Sequence, residues 1–397
     1  MKKLLIANRG EIAIRIGQTA KELGYSTIAV FPEDDASALH VQQSDESVQI
    51  PGAGAQAYLN IEEIINAAKT CAADAVHPGY GFLSENPDFA KACDDAGINF
   101  VGPTAAQLSI FGNKAGARAL AAELGIPLVP GTNEDTSLAA VIDFQDQHPD
   151  KGVVIKAISG GGGRGMRIVE DRNEIEKSFE RCKSEANLAF GDDRVYVELL
   201  IHRARHIEVQ IVGDGTGGVT HLWERDCSTQ RQNQKIVEVA PSPNMPESTR
   251  TALLQASVKM ASHASYRGVG TFEFLVNADQ PDEFFFIEAN ARLQVEHTVT
   301  EAITGLDLVA LQLQIAAGET LDELGLSEPP ATNGYAIQCR INMETPGKKG
   351  MFKPTGGTIN IFEPPSGPGI RVDTFGYAGY KTSTRYDSLL AKLIVHS

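Results

Sequence analysis

The stretch Glu288-Ala-Asn-Ala-Arg-Leu-Gln-Val-Glu296 alternates strictly between polar and apolar residues. Successive side chains of an extended strand point to opposite faces of its sheet. The sequence therefore predicts a strand whose one face carries all five polar side chains of this stretch. A solvent-exposed strand face is the ordinary alternative. Such a face favours lysine and threonine, whereas here asparagine and glutamine stand beside paired acids.

Upstream of this stretch, Glu273 lies between two phenylalanines. The runs 270–276 and 283–291 have the pattern of a β-hairpin. We expect Glu273 and Glu288 to become neighbours across this hairpin. Two carboxylates and the amide oxygen of Asn290 are hard oxygen ligands, which suit a magnesium ion that holds nucleotide phosphates.

A glycine run, Gly160-Gly-Gly-Gly-Arg-Gly-Met166, follows a predicted strand at residues 153–157 that carries Lys156. Glycines let a backbone approach a ligand closely, and their N–H groups can form a concavity for an anion. The lysine ammonium is placed to meet a phosphate there. No Gly-Lys-Ser/Thr follows, so the run is not a P-loop. A flexible linker is the alternative interpretation.

Residues 224–235 read Glu-Arg-Asp-Cys-Ser-Thr-Gln-Arg-Gln-Asn-Gln-Lys and form a dense polar segment in a strand-rich context. Hardly any residue of this segment is apolar, so it is a candidate part of the site, with an exposed loop as the alternative. Cys227 is interpreted as packed rather than nucleophilic, because no histidine partner lies at a recognisable offset.

Residues 1–112 alternate short apolar runs with amphipathic helical patterns. This alternation is typical of βαβ units and predicts a mostly parallel sheet. The first strand-to-helix turn contains one glycine, Gly10, where a dinucleotide-binding fingerprint needs three. The sequence therefore argues against a dehydrogenase.

The C-terminal part is predicted to contain one helix over residues 300–318, closed by Gly318. Pro329-Pro330 marks a boundary, and residues 334–397 are rich in strand-like runs and Gly/Pro turns. The sequence ends on an apolar, strand-like run at residues 389–397. Because a natural domain seldom stops on its own core element, we expect a fragment of a longer polypeptide.

The composition narrows the class of protein. The chain has 397 residues, 42% of them hydrophobic, and a formal net charge of −16. Nonspecific binding to nucleic acid or to an anionic membrane needs a basic surface, so neither partner is expected. No apolar run approaches the ~20 residues of a membrane-spanning helix. The five cysteines form no CxxC motif and favour a reducing, cytoplasmic compartment.

From the residues alone, the sequence combines a βαβ domain, a glycine-rich loop with a lysine, and an acidic strand of the magnesium-binding type. This combination indicates an ATP-dependent ligase or a kinase-like phosphoryl transfer. An anionic substrate would require a local cluster of cations on this acidic chain.

Several stretches together resemble biotin carboxylase, the ATP-grasp component of acetyl-CoA, propionyl-CoA, pyruvate and related biotin-dependent carboxylases. The stretches are 6–13 (IANRGEIA), 77–85 (HPGYGFLSE), 160–166, 224–228 (ERDCS) and 288–297. The resemblance covers residues 1–397, and several of these motifs are specific to the family rather than to ATP-grasp enzymes in general.

The resemblance implies a mixed α/β and α+β fold in three parts. These are an N-terminal Rossmann-like (pre-ATP-grasp) domain at 1–112, an ATP-grasp domain at 113–330, and a β-rich C-terminal domain at 331–397. The glycine-rich lid of the ATP-grasp domain would span about 131–203. The family's C-terminal domain continues further, so this one would be incomplete.

The resemblance also implies roles for individual residues. Positions that bind the nucleotide correspond to Lys114, Lys156, Gly161, Gly162, Gly163, Met166, Glu198, Ile201, His206, Gln230 and Asn233. The metal ligands correspond to Glu273, Glu288 and Asn290, and the bicarbonate pocket to Lys235, Arg292, Gln294 and Val295. Glu296 corresponds to the general base and Arg340 to the arginine that faces the biotin ring, while Tyr80, Glu85 and Asp387 fall in motifs that line the same cleft.

Three positions depart from the family pattern. Leu199 stands where many members have lysine, Gln232 replaces a frequent arginine, and Asn233 replaces a common ribose-contacting histidine. Asparagine can still donate and accept hydrogen bonds, so we expect altered nucleotide affinity rather than loss of activity.

The implied cofactors and substrates are ATP, Mg²⁺ or Mn²⁺, bicarbonate, and biotin carried on a separate domain. The implied partners are a biotin carboxyl carrier domain and a carboxyltransferase, and family members often form homo-oligomers. Two alternatives stay open at this stage: another ATP-grasp ligase, such as a carbamoyl-phosphate-type synthetase, and a non-catalytic ATP-binding module.

Overall fold

The computed structural model describes residues 1–132, 135–158, 165–347 and 352–397. Its N-terminal part is a five-stranded parallel sheet in the order β3-β2-β1-β4-β5, with helices in the crossovers. Its elements are β1 (Lys3–Ile6), α1 (Gly10–Glu22), β2 (Ser26–Phe31), α2 (Leu39–Gln43), β3 (Glu46–Gln49), α3 (Ile61–Thr70), β4 (Ala75–His77), α4 (Pro87–Asp95), β5 (Asn99–Phe100) and α5 (Ala105–Phe111). The parallel sheet predicted from the βαβ alternation is therefore confirmed.

A small antiparallel sheet in the order β7-β6-β8 follows, with two helices packed on it. The elements of this part are α6 (Lys114–Glu123), α7 (Leu138–Asp146), β6 (Val153–Ala157), β7 (Met166–Val169), α8 (Ile175–Phe190) and β8 (Val195–Leu199). The sheet has a core of its own, which includes Val141, Ile155 and Val197. The predicted lid falls here, but Gly161, Gly162 and Gly163 lie outside the described residues.

The largest layer is an eight-stranded antiparallel sheet in the order β13-β12-β9-β10-β11-β14-β18-β17. Its elements and those around it are β9 (Ala204–Asp214), β10 (Val219–Arg231), β11 (Gln234–Ala240), α9 (Glu247–His263), β12 (Arg267–Asn277), β13 (Phe284–Asn290), α10 (His297–Thr304), α11 (Leu308–Ala316), β14 (Ala336–Asn342), β15 (Glu344–Pro346), β16 (Phe352–Pro354), β17 (Ile370–Thr374) and β18 (Leu389–His396). Because β11 pairs with β14, one sheet continues across residue 330.

The prediction of one continuous helix over residues 300–318 is wrong. The chain forms α10 and α11 instead, and their axes meet at 95°. Gly305 ends α10 in the left-handed conformation, with φ at 72°. Asp307 then caps α11 by accepting a hydrogen bond from the N–H of Ala310 at 2.8 Å. A left-handed glycine followed by an N-capping aspartate breaks a helix even where the apolar pattern continues.

The predicted strand over residues 288–296 is also shorter than expected. Strand β13 ends at Asn290, and Glu296 lies at the N-terminus of α10. The segment between them, which we call the 291–296 loop, is irregular. The alternation of polar and apolar residues therefore predicted too long a strand. Tertiary contacts, rather than a regular strand, fix the last three polar side chains.

In the described part of the chain, no single helix has both the length and the apolar composition needed to cross a membrane. The bent pair α10–α11 passes that test only when its two helices are counted together.

Candidate active site

A cleft of about 1840 Å³ opens between the three layers. Every predicted site residue within the described ranges lines it. These residues are Tyr80, Lys114, Lys156, Met166, Glu198, Ile201, His206, Gln230, Asn233, Lys235, Glu273, Glu288, Asn290, Arg292, Gln294, Val295, Glu296 and Arg340, together with Glu85 and Asp387. Residues far apart in sequence therefore meet along one surface.

Lys235, on β11, is the cationic centre of the cleft. Its Nζ lies 2.8 Å from Glu296, 2.9 Å from Glu273 and 2.5 Å from Glu208. Burial opposes the charged form, but the three carboxylates outweigh it and hold the pKa of Lys235 well above its usual range. The side chain therefore carries a permanent positive charge beside three anions.

Glu296 is fully buried, and two cations share its carboxylate. Oε1 accepts a hydrogen bond from Lys235, and Oε2 accepts one from Arg340 at 3.0 Å. Burial would raise the pKa of Glu296, but Lys235, Arg340 and the buried Arg225 together hold it well below its ordinary value. Glu296 is thus an ionised carboxylate, able to accept a proton.

Glu273 and Glu288 are directly paired across the β12–β13 hairpin, as predicted. Their carboxylates turn to different cations. Glu273 contacts His206 at 2.7 Å and Lys235, whereas Glu288 contacts Lys114 at 2.9 Å. Asn290 also donates to Glu273, at 2.8 Å.

This set of side chains fits a magnesium ion by its chemistry. Cross-strand neighbours have Cβ atoms about 5 Å apart, and both carboxylates offer the hard oxygen donors that the ion prefers. Among the described residues, Glu273 also forms a close group of potential ligands with His206 and Glu208, and Glu288 lies outside this group.

Arg292 connects the 291–296 loop to the N-terminal part of the chain. Its Nε donates to Glu85 at 2.8 Å. Its two terminal nitrogens donate to Asn290 at 3.0 Å and to Gln294 at 3.1 Å. The guanidinium is therefore fixed in the cleft between two layers.

The predicted nucleotide end of the cleft is held by a small ion-pair group. The carboxylate of Glu198 contacts Lys156, and it accepts a hydrogen bond from Arg118 at 2.6 Å. Met166 and Ile201 lie on the same wall of the cleft. The resemblance assigns Lys156 to a phosphate of ATP and Glu198 to the adenine. In this structure, the two residues form an ion pair with each other.

The turn between β10 and β11 gives a local reason for asparagine at position 233. Gln232 and Asn233 are its central residues, and both have positive φ, at 52° and 63°. Two-residue hairpin turns with φ > 0 at both positions favour asparagine. Before this turn, Gln230 contacts the ring of His206 at 3.0 Å.

Sequence reasoning missed the buried Glu208 and Glu238, which support the cleft, and it gave no separate role to Arg225 within the candidate segment 224–235. Arg225 is completely buried and donates to Glu208 at 2.5 Å and to Gln210 at 2.7 Å. Glu208 and Gln210 continue a polar alternation along β9, which was the available signal. Glu238 accepts a hydrogen bond from Arg340 at 2.6 Å. In the sequence, Glu238 is a single charged residue within a strand-like run, so no polar alternation marked it.

Three known family models match successive parts of the chain. The biotin carboxylase N-terminal domain matches residues 1–108, and the biotin carboxylase C-terminal domain matches residues 338–397. Between them, the ATP-binding domain of the carbamoyl-phosphate synthase L chain matches residues 113–324. The chain belongs to the biotin carboxylase family.

Solved structures support the assignment. The biotin carboxylase domain dimer of Hydrogenobacter thermophilus 2-oxoglutarate carboxylase, in complex with MgADP, ADP and bicarbonate, has a TM-score of 0.93 and 42% identity. This comparison covers 100% of the present chain and 86% of that one. Biotin carboxylase from Campylobacter jejuni has a TM-score of 0.93 and 40% identity, with 100% and 87% covered.

Among curated relatives, human mitochondrial pyruvate carboxylase is 48% identical over 402 residues. The comparison covers 100% of this chain but 34% of the human protein, so the chain spans about a third of that relative's length. Pyruvate carboxylase of Staphylococcus aureus is 46% identical, with 100% of this chain and 35% of the relative covered. The family, the fold class and the ATP-dependent ligase class expected from the sequence are confirmed.

Proposed function

We propose that this chain carboxylates biotin with ATP and bicarbonate, through a carboxyphosphate intermediate, in the first half-reaction of a biotin-dependent carboxylase. The observation that carries the proposal is Lys235 bonded to Glu296 at 2.8 Å and to Glu273 at 2.9 Å. This one ammonium joins the proposed base to the proposed metal ligand. A small anion bound at Lys235 would therefore meet both the base and the phosphates.

In this reaction, Lys235 and Arg292 bind bicarbonate by charge-assisted hydrogen bonds. Bicarbonate competes with the carboxylates for these cations. As Lys235 turns to the substrate, it releases part of its hold on Glu296 and makes that carboxylate a stronger base. Glu296 then takes the bicarbonate proton while the bicarbonate oxygen attacks the γ-phosphate, whose bond to the β-phosphate oxygen breaks so that ADP leaves.

Glu273 and Glu288, with Asn290, are the residues that would hold Mg²⁺ or Mn²⁺. When bound, the metal supplies neutralisation of charge on the transferring phosphoryl group. Lys114 and Lys156 are proposed to bind the phosphates of ATP, which would replace their present partners, Glu288 and Glu198.

Carboxyphosphate decomposes to CO₂ and phosphate, and the phosphate takes the proton from the biotin ureido nitrogen. Arg340 is proposed to stabilise the resulting anion, which then attacks CO₂. Its two carboxylate partners, Glu238 and Glu296, hold the guanidinium in the cleft before biotin arrives. Tyr80, Glu85 and Asp387, which line the same cleft, are proposed to contribute to its binding surface.

We further propose the three-part division at residues 112 and 330, with a lid at about 131–203. It is supported by the matched ranges 1–108, 113–324 and 338–397 and by the separate core of the small sheet. The proposed partners are a biotin carboxyl carrier domain and a carboxyltransferase, and the proposed assembly is a homodimer. Relatives are named for pyruvate, 2-oxoglutarate and acyl-CoA carboxylation. We therefore propose that the partner carboxyltransferase determines the final acceptor of the carboxyl group. A reducing, cytoplasmic location is proposed from the five unpaired cysteines.

The test is phosphate release from ATP and Mg²⁺, with and without bicarbonate and free biotin. We expect release that requires bicarbonate and rises with biotin. Dependence on ammonia in place of bicarbonate would support a carbamoyl-phosphate-type synthetase and overturn the proposal. ATP binding without release under any condition would indicate a non-catalytic module.

A further inference from the structure

Lys392 is a completely buried lysine in the apolar strand β18. It is paired with Arg340 on β14 and with Asp373 on β17. Directly paired residues of neighbouring strands share one face of the sheet. Three charged side chains therefore stand in a row on the face toward the 291–296 loop.

The ammonium of Lys392 makes contacts in three separate parts of the chain. Its Nζ donates to the backbone oxygen of Val295 at 3.1 Å. It lies 3.2 Å from Glu11 on α1 and 3.7 Å from Asp373 on β17. A buried ammonium is costly unless it is paired and hydrogen-bonded, and these contacts meet that requirement.

The contact with Val295 fixes the orientation of a peptide group. A trans peptide is planar, so the N–H of Glu296 points opposite to the carbonyl that Lys392 holds. Lys392 has no exposed surface, whereas Val295 and Glu296 line the cleft. The N–H of Glu296 is therefore directed away from the buried side of the loop.

The preceding peptide is held in the same way. His297 is fully buried, and its Nδ1 lies 2.8 Å from the backbone oxygen of Gln294. A carbonyl only accepts hydrogen bonds, so Nδ1 is the donor. Within the described residues, no backbone oxygen accepts a hydrogen bond from the N–H of Val295 or of Glu296. Two consecutive N–H donors, one of them belonging to the residue whose carboxylate Lys235 binds, are thus available to an anion.

Arg340 and Lys392, as cross-strand neighbours, hold two parts of the same dipeptide. Arg340 binds the side chain of Glu296, and Lys392 binds the peptide before it. We propose that Lys392 is a positioning residue of the bicarbonate site, which directs the Glu296 N–H toward a bicarbonate oxygen and holds the Glu296 carboxylate in place. This inference rests on the proposed function and adds to it the residue that sets the loop geometry.

The test is Lys392→Met, which removes the ammonium but keeps the apolar stem. We expect the KM for bicarbonate to rise roughly 10- to 100-fold, as for loss of a hydrogen bond to a charged group, while the affinity for ATP stays unchanged. Lys392→Arg, which keeps a charged donor, should recover part of the loss. Lys259→Met is the matched control, because Lys259 is exposed and donates to the backbone oxygen of Leu124 at 2.7 Å.

A purely structural role would lower kcat through loss of folded enzyme and leave both KM values unchanged, and this result would overturn the proposal. If Lys392→Met does not fold, Glu11→Gln/Lys392→Met removes the buried charge pair together. The single variant Glu11→Gln measures the effect of that change alone, which is then subtracted from the effect of the double variant. The double variant should show the same rise in bicarbonate KM, and a wild-type KM would again overturn the proposal. Absence of bicarbonate dependence in the unchanged protein would instead contradict the proposed function.

Discussion

At the scale of single residues, the charged side chains of the cleft are held in ion pairs with one another. Glu296 is bonded to Lys235 and Arg340, and each cation has a second carboxylate partner. Buried charges of one sign would be too costly without these partners. The proposed substrates are anions, so binding exchanges carboxylate partners for substrate oxygens on cations that are already in position.

The role of Glu296 predicts the behaviour of Glu296→Gln. This change keeps the shape and hydrogen-bonding capacity of the side chain but removes its basicity. We expect bicarbonate-dependent phosphate release to fall roughly 10²- to 10⁴-fold, as for a lost general base, with the affinity for ATP retained. Turnover equal to that of the unchanged protein would rule out this role.

Arg340 has one contact with the proposed base and is proposed to face biotin. In Arg340→Ala, Lys235 still binds Oε1 of Glu296. We therefore expect carboxylation of biotin to fall more than bicarbonate-dependent ATP cleavage. Both rates are measured on the same preparation, by labelled bicarbonate fixation and by phosphate release. Equal losses would show that Arg340 acts on the first step alone.

At the scale of elements, short breaks determine where the side chains proposed for catalysis lie. The end of β13 at Asn290 lets the 291–296 loop turn Arg292 toward Glu85 and Glu296 toward Lys235. A regular strand would have kept all these side chains in one row. The break between α10 and α11 likewise depends on two residues, Gly305 at the end of α10 and Asp307 at the start of α11.

Gly305→Ala should destabilise the protein by about 1 kcal/mol, because an L-residue with a side chain pays this much in the left-handed region. A Cβ at this position would meet nothing within 4 Å, so the effect is conformational rather than steric. Urea unfolding measures it. The control is Gly17→Ala within α1, where the added Cβ makes an ordinary contact of 3.6 Å with Ile6. It should leave stability unchanged or raise it.

At the scale of the whole molecule, ion pairs join the C-terminal strands to earlier parts of the chain. Lys392 on β18 contacts Glu11 on α1, and Arg371 on β17 contacts Glu301 on α10 at 2.7 Å. Asp373 lies between Lys392 and Arg371. Its carboxylate accepts two hydrogen bonds from Arg371, at 2.7 Å and 2.8 Å. The packing of the C-terminal strands on the rest of the molecule should therefore depend on pH.

Burial opposes ionisation of Asp373, but Lys392 and Arg371 hold its pKa well below the usual value. A depressed pKa contributes stability above the unfolded-state value of about 3.9 and loses it as the pH falls through the folded-state value. Asp373→Asn should therefore lower the free energy of unfolding at pH 7, and the difference from the unchanged protein should shrink at pH 3. Urea unfolding at both pH values checks this, and a constant difference would contradict it.

The extent of sequence-based prediction differed from one feature to another. The pairing of Glu273 with Glu288 followed from alternation and hairpin pattern, because both are local properties of strands. The contacts of Glu208, Arg225 and Glu238 could not be predicted in this way, because a buried charge is identified by its partner, which lies on another strand. The split of the 300–318 helix was missed, because a left-handed glycine and an N-capping aspartate outweighed a continuous apolar pattern.

The parallel N-terminal sheet, the acidic hairpin and the family to which the chain belongs could be predicted from the amino-acid sequence. These features depend on local periodicity and on motifs within short stretches, which a single chain displays directly. The folded structure was needed to show which cation each carboxylate meets and which way the peptides of the 291–296 loop face. Those choices are made by side chains from β11, β14 and β18, whose contacts with the loop cross 44 to 97 positions of sequence. At such separations, the spatial arrangement of the strands in the folded sheet determines which groups meet.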